Sequence, residues 1–227
     1  QQLATIDCQL ALKVHPDALI RKAADKVTLS ELYQRLEFNG LLASIDATAL
    51  PVVEADEAPT PPPIATKYHT VTTEAAWQQL LQRMTEARAF AFDTETTSLN
   101  YKEAKIVGFS VCMVVGEAYY VPLAHNYLGA PEQLDRIKTL AELKPLLENP
   151  HIGKIGQHLK YDTHVLANHG IDLQGIVFDT MLASYVLDAT ATRHNMDDLA
   201  KYYLNYQTTT FEELAGKGVK QLCFDEI

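Results

Sequence analysis

The sequence predicts an α/β domain, a mixed β-sheet flanked by helices, preceded by an N-terminal fragment and a proline-rich linker. Three observations carry this. Strand-like runs at 89–95, 105–115 and 117–123 follow one another closely, as in an antiparallel meander. Beyond residue 150 strand-like and helical patterns alternate, which adds further strands and covering helices. Five of the ten prolines fall within 51–63, in PVVEADEAPTPPP, where acidic and small residues leave almost nothing to build a core.

Residues 1–45 hold a strand-like piece, LATIDCQLAL (3–12), and an amphipathic helix, TLSELYQRLEFNGLL (28–42). Leu29, Leu32, Tyr33 and Leu36 recur at helical spacing, Thr28 or Ser30 is the candidate N-cap, and Gly40 the terminator. This piece is too short for a domain and reads as the end of one, followed by a linker over 46–66. KYHTV (67–71) is strand-like. TTEAAWQQLLQRMTEA (72–87) is an amphipathic helix capped by Thr72 or Thr73, with Trp77, Leu80, Leu81 and Met84 as its apolar stripe. AFAFDTE (89–95), KIVGFSVCMVV (105–115) and EAYYVPL (117–123) are strands, the last two joined at Gly116. AELKPLLEN (141–149) is helical with an early Pro145. HIGKIG (151–156) is a short strand, and QHLKYDTHVLANHG (157–170) a helix ended by Gly170. GIVFD (175–179) is a strand; TMLASYVLD (180–188) and MDDLAKYYL (196–204) are helices.

Composition bounds the function. The apolar share of 47% and charged share of 21% are those of a globular protein, and no apolar run approaches the length of a membrane span. The start, QQLATIDCQL, lacks Met and a signal-peptide layout, and reads as a cut into a longer chain. Cys8, Cys112 and Cys223 are scattered without zinc-ligand spacing, so free thiols in a reducing, cytoplasmic compartment are expected. A formal net charge of −10 argues against a broad basic groove gripping duplex DNA. It is compatible with an enzyme that holds a few nucleotides and brings cations to them.

The chemistry-bearing residues begin with Asp93 and Glu95. Two residues apart on a strand, they point to one face, where two carboxylates repel unless something positive sits between them. On the bare Asp-x-Glu pattern an exposed polar strand end with a turn is the favoured reading. The apolar run before Asp93 and the β-prone Thr94 argue against exposure. Asp162 lies near the edge of the apolar face formed by Leu159, Val165 and Leu166, placed for its helix to pack over that strand. Three converging carboxylates fit a hard cation, Mg²⁺ or Mn²⁺, and two such ions about 3.5–4 Å apart suit phosphodiester hydrolysis. His158, His164 and His169 lack zinc-site spacing. GKGVKQL (216–222) is a poor phosphate loop and reads as a flexible basic loop, while Tyr202, Tyr203 and Tyr206 read as core and rim of a helix.

FDTETTSL (92–99), GQHLKYD (156–162), FDTMLASYVL (178–187), RHNMDDLA (193–200) and TFEELAGKG (210–218) together resemble the 3′→5′ exonuclease domain of bacterial, family A DNA polymerase I. That domain is one of the DEDD exonucleases, with a ribonuclease-H-like fold. The resemblance covers about 67–227, and 1–45 is similar to the tail of the 5′-nuclease domain that precedes it. It implies proofreading hydrolysis of 3′-terminal phosphodiesters by two-metal catalysis in DNA replication and repair, within a monomeric parent chain that also carries polymerase and 5′-nuclease domains. It implies that Asp93, Glu95 and Asp162 bind the catalytic metals and that Leu99 wedges against the terminal bases. Gln157, Tyr161, Arg193 and Phe211 would contact the last nucleotides of the single strand.

Two departures qualify the expectation. His158 stands where the family usually has Asn, which implies an altered contact to phosphate. The family's third motif, a Tyr followed four residues later by an Asp, belongs beyond Ile227, so an isolated 227-residue piece is expected to bind metal weakly and cleave poorly. The competing expectations are a non-catalytic DNA-binding scaffold and an RNA exonuclease of the same fold, which differ in their acids and in contacts at the 2′ position.

Overall fold

A computed structural model of the chain describes residues 19, 23–42, 44–45 and 66–227. The chain divides into two compact units, 1–58 and 59–227. The strand-like piece at 3–12, and all of the 46–66 segment but Thr66, lie outside the described residues.

In the first unit the helix expected over 28–42 is two helices, α1 (Lys26–Arg35) and α2 (Asn39–Leu42). They part where Glu37 takes a left-handed conformation, φ 57°. Neither Thr28 nor Ser30 is the cap. Asp25 is, its carboxylate accepting from the Thr28 N–H at 3.2 Å and the Thr28 hydroxyl at 2.7 Å, which satisfies an otherwise orphaned amide.

The second unit is a six-stranded mixed sheet in the order β1-β4-β3-β2-β5-β6. The strands are β1 (Lys67–Thr70), β2 (Ala89–Thr96), β3 (Ile106–Val114), β4 (Glu117–Pro122), β5 (Gly153–Gly156) and β6 (Ile176–Asp179). β2, β3 and β4 form the expected antiparallel meander, while β1 runs parallel to β4, and β5 and β6 extend the sheet in parallel beyond β2. The helices are α3 (Glu74–Glu86), α4 (Arg136–Leu147), α5 (Leu159–Asn168), α6 (Thr180–Leu187), α7 (Met196–Leu204) and α8 (Phe211–Ala215). Among the described residues no helix is long and apolar enough to cross a membrane.

The alternation of β2 fixes its register. Phe90, Phe92 and Thr94 are buried, while Ala89, Ala91, Asp93 and Glu95 alternate with them on the half-buried face. Burying each phenylalanine contributes roughly 1.5–3 kcal/mol. A slip by one residue would put both acids in that core. Trp77 of α3 meets Phe109 of β3 edge-on at 5.9 Å, and its indole N–H donates to Glu142 of α4 at 2.6 Å.

Helix α4 starts five residues before its expected start. Asp135 caps it, accepting from the Lys138 N–H at 2.8 Å, so Pro145 sits near its end rather than its beginning. The basic segment 216–222 contains a 3₁₀ turn at Gly218–Lys220, with Lys217 paired to Glu212 at 2.5 Å. Tyr202, Tyr203 and Tyr206 are all exposed, so none is a core residue.

Candidate active site

β2 carries Asp93 and Glu95 to one face of the sheet, and α5 brings Asp162 to the same place. β5 pairs with β2 only as far as Ala91 opposite Ile155. Past that point β5 pairs only with β6, Gly156 opposite Asp179, and the edge of β2 is open. Asp162, only 2% exposed, fills the opening. Its Oδ1 accepts from the Thr94 main-chain N–H at 2.9 Å and from the Thr94 hydroxyl at 2.6 Å. The third acid is thus held in the plane of the strand bearing the other two.

The close packing at Gly156 makes this possible. A Cβ there would overlap the Leu159 side chain and press on the Phe92 carbonyl. α5 then begins at Leu159 rather than Gln157, because His158 is left-handed (φ 59°, ψ 41°). After glycine, Asn is the residue that most readily visits this region, so the His158 departure has a backbone consequence. We expect His158→Asn to stabilise the domain by roughly 0.5 kcal/mol, part of the left-handed penalty, read as a higher urea midpoint at unchanged slope. A lower midpoint would refute it.

Asp179 holds the starts of two helices. Its carboxylate accepts from the N–H groups of His158 and Leu159 (3.2 and 2.8 Å), and of Met181 and Leu182 (3.0 and 3.1 Å). Sequence reasoning did not single it out, although an Asp at the junction of a strand and a helix is an N-cap signal.

The electrostatics are those of an uncompensated cluster. Burial first, then the charge of Asp162 and then that of Glu95, pushes Asp93 up to about 7. Burial and Asp162 push Glu95 up to about 7 as well. Asp162 is also raised, chiefly by burial, with the two Thr94 hydrogen bonds and, more weakly, the nearby His158 ring opposing. No Lys or Arg is among these influences.

Among the described residues no group of three or more His, Cys, Asp or Glu side chains is arranged to hold a metal ion, so Asp93, Glu95 and Asp162 do not together form a ready-made site. The donor set nevertheless fits a hard divalent cation that keeps most of its waters and needs only one or two carboxylates. His164 stacks on Tyr101 at 4.5 Å, and His169 Nε2 accepts from the Ile106 N–H at 3.4 Å, so both are engaged elsewhere.

The remaining predicted residues are placed as follows. Leu99 is 95% exposed, an apolar side chain offered to solvent just past the acids. Tyr161 secures that loop, its hydroxyl bonding the Ser98 carbonyl and the Thr96 hydroxyl, each at 2.5 Å. Gln157 is used up within the protein: its amide N–H donates to the His194 carbonyl at 2.8 Å, and its amide oxygen accepts from the Thr180 hydroxyl. His158 is exposed. The Arg193 side chain is solvated, 4.0 Å from Asp198. Phe211, at the start of α8, stacks on Phe224 with ring centroids 6.1 Å apart. A cavity of about 390 Å³ between α6 and α7 is lined by Gln157, Phe178, Ser184, Leu199 and Tyr203 among others, and by none of the carboxylates.

Comparison with known proteins gives concordant matches. A family profile described as 3′-5′ exonuclease matches residues 68–227. DNA polymerase I of Pseudomonas aeruginosa is 49% identical over 100% of this chain and 25% of its own length. That of Chloroflexus aurantiacus is 30% identical over 100% of this chain and 26% of its own. The chain thus spans about a quarter of the length of these relatives. Among solved structures, Trypanosoma brucei RNase D aligns with a TM-score of 0.52 at 15% identity, over 65% of this chain and 50% of that one. The POL domain of Pol1 from M. smegmatis, in complex with DNA primer-template and dNTP, aligns with a TM-score of 0.50 at 21% identity, over 62% of this chain and 23% of that one. These likenesses show the fold, a mixed sheet flanked by helices.

Proposed function

The chain belongs to the 3′-5′ exonuclease family of DNA polymerase I, and on that premise we propose that it hydrolyses the 3′-terminal phosphodiester of DNA as the proofreading part of a polymerase. The observation that carries the reading is the cluster of Asp93, Glu95 and Asp162, three acids brought together with no Lys or Arg among the charges acting on them and only the ring of His158 favouring the charge of Asp162. Structural acids are normally paired; unpaired ones at a strand end have the character of a cation site.

Members of this family use divalent metal ions. Here Asp93 and Glu95 would hold Mg²⁺ or Mn²⁺, with Asp162 serving a second, outer ion. Such ions, when bound, polarise the scissile phosphate and stabilise the leaving 3′ oxygen. The residues of this chain supply the geometry. β2 is a rigid rail for Asp93 and Glu95, and Thr94 locks Asp162 beside them. Leu99 meets the terminal base, His158, Arg193 and Phe211 line the strand's path, and Gln157 and Tyr161 hold the walls. Contacts of stacking and charge of this kind tolerate any base sequence. We assign 1–45 to the tail of a 5′-nuclease domain and 46–66 to the linker, within a cytoplasmic, monomeric protein.

The test is degradation of a 5′-labelled primer with a mismatched 3′ end by the protein carrying this chain. Shortening from the 3′ end with Mg²⁺, its loss with EDTA, and slower attack on the matched RNA oligonucleotide are expected. Equal degradation with and without metal would sink the reading.

A further inference from the structure

Tyr120 lies on the acidic face of the sheet, and the proposed reaction gives it no part. In the ladder of β2, β3 and β4, Asp93 is opposite Ser110 and Ser110 is opposite Tyr120, while Glu95 is opposite Gly108. Directly opposed residues share a face, so Tyr120 stands in the row of Asp93 and leans over the row of Glu95. It can do so because Gly108 has no side chain: a Cβ there would overlap the Tyr120 hydroxyl. The phenol is raised in pKa by burial first and by the Glu95 charge second, in keeping with that proximity.

The hydroxyl is held in place. It lies 2.6 Å from His125 Nε2, and His125 Nδ1 lies 2.8 Å from the Ile227 oxygen. That oxygen only accepts, so Nδ1 carries the hydrogen, and in the neutral ring Nε2 takes the Tyr120 hydrogen. His125 itself is clamped. Gln133 accepts from its N–H at 2.7 Å and donates to its carbonyl at 2.9 Å. Tyr127 and Phe224 flank its ring at 6.0 and 5.9 Å. With its one hydrogen committed to His125, Tyr120 is left with lone pairs as its remaining hydrogen-bonding capacity beside Glu95.

We propose that Tyr120 is a positioning residue for the carboxylate site: its phenolic oxygen accepts a hydrogen bond from a water at Glu95, and His125 locks its orientation. The inference rests on the exonuclease reading. A water that donates one hydrogen to Glu95 and the other to Tyr120 has its lone pairs turned away from both, toward an incoming phosphate.

The test uses the protein carrying this chain, with Mn²⁺ as the probe. Tyr120→Phe is expected to keep the fold and the Mn²⁺ affinity while changing the water-proton relaxation of bound Mn²⁺. It should lower kcat ~10-fold with KM little altered, since losing one positioned hydrogen bond acts on the transition state. His125→Ala, which leaves the hydroxyl free to rotate, is expected to give the same relaxation change with a smaller loss of kcat. Unchanged relaxation and kcat in both variants would overturn the proposal. If the wild type cleaves no DNA but Tyr120→Phe still alters the relaxation, the exonuclease reading fails and the positioning role stands.

Discussion

Asp93→Asn is expected to do two opposite things: remove nuclease activity, by on the order of a thousandfold or more if the ion site is lost, and stabilise the metal-free domain. The second effect follows from the raised pKa values. Asp93 and Glu95 titrate near 7 in the folded chain against ordinary values of 3.8 and 4.5. Between those limits the folded state binds more protons than the unfolded one. The contribution of these two acids to stability is therefore most favourable below about pH 4, declines as pH rises toward 7, and is least favourable above it. Asn keeps the shape, carries no charge at any pH, and relieves Glu95 of a like-charged neighbour. In EDTA at pH 8 the variant should be more stable than wild type by on the order of 2 kcal/mol, several degrees in Tm. At pH 5 the gap should shrink. Mg²⁺ should raise the Tm of wild type at pH 8 and leave Asp93→Asn nearly unmoved. Calorimetric scans at the two pH values, with and without metal, check all of this. A variant less stable than wild type at pH 8 in EDTA would show that the acids are not a stored electrostatic burden. The expected pattern is that of a site kept costly because its function needs the charge.

The legible part of this chain was the part written in local patterns. FAF before Asp93 announced a buried strand, and two-residue spacing put Asp93 and Glu95 on one face whatever the rest of the sheet did. The helical period around Leu159, Val165 and Leu166 placed Asp162 at the rim of an apolar stripe, and it lies buried against β2. What the sequence concealed depends on long-range registry. That Thr94 rather than a cation holds Asp162 follows from β5 ending where it does, opposite Ala91. That Tyr120 leans toward Glu95 follows from the alignment of β4 on β3 across a glycine. α4 starts earlier than expected although its first turns are marked in the sequence, with Asp135 as cap and Leu140 leading the buried stripe that Leu143 and Leu147 continue. The split between α1 and α2 falls at Glu37, and Gly40, the expected terminator, lies inside α2 instead.

Lys154 was likewise invisible, since a lysine in a short strand reads as surface, and its replacement should give a large loss of stability. It is 0% exposed. Its ammonium donates to the carbonyls of Leu146, Asn149 and Ile152 at 3.1, 2.7 and 2.9 Å. Three donors meet three acceptors, which matches the charged form, and although burial lowers its pKa to about 8, it remains mostly charged at neutral pH. The carbonyls come from the end of α4 and the turn that leads into β5. Opposite Phe90 in the β2–β5 pair, Lys154 therefore joins that turn to the strand from which α5 and Asp162 depart. Lys154→Met keeps an apolar stem and deletes the donors, leaving the Ile152 carbonyl without its lysine partner and the Leu146 and Asn149 carbonyls with only their main-chain N–H donors, at a cost of roughly 2–3 kcal/mol. Lys160→Met, at an exposed position six residues on, should change stability by less than about 0.5 kcal/mol. Urea unfolding of the two variants side by side separates a buried clamp from an ordinary lysine. Equal midpoints would mean that water replaces the ammonium and that Lys154 holds nothing. A large loss confined to Lys154→Met would place the support of the acidic cluster in the turn before β5, outside every motif that marks the site in the sequence.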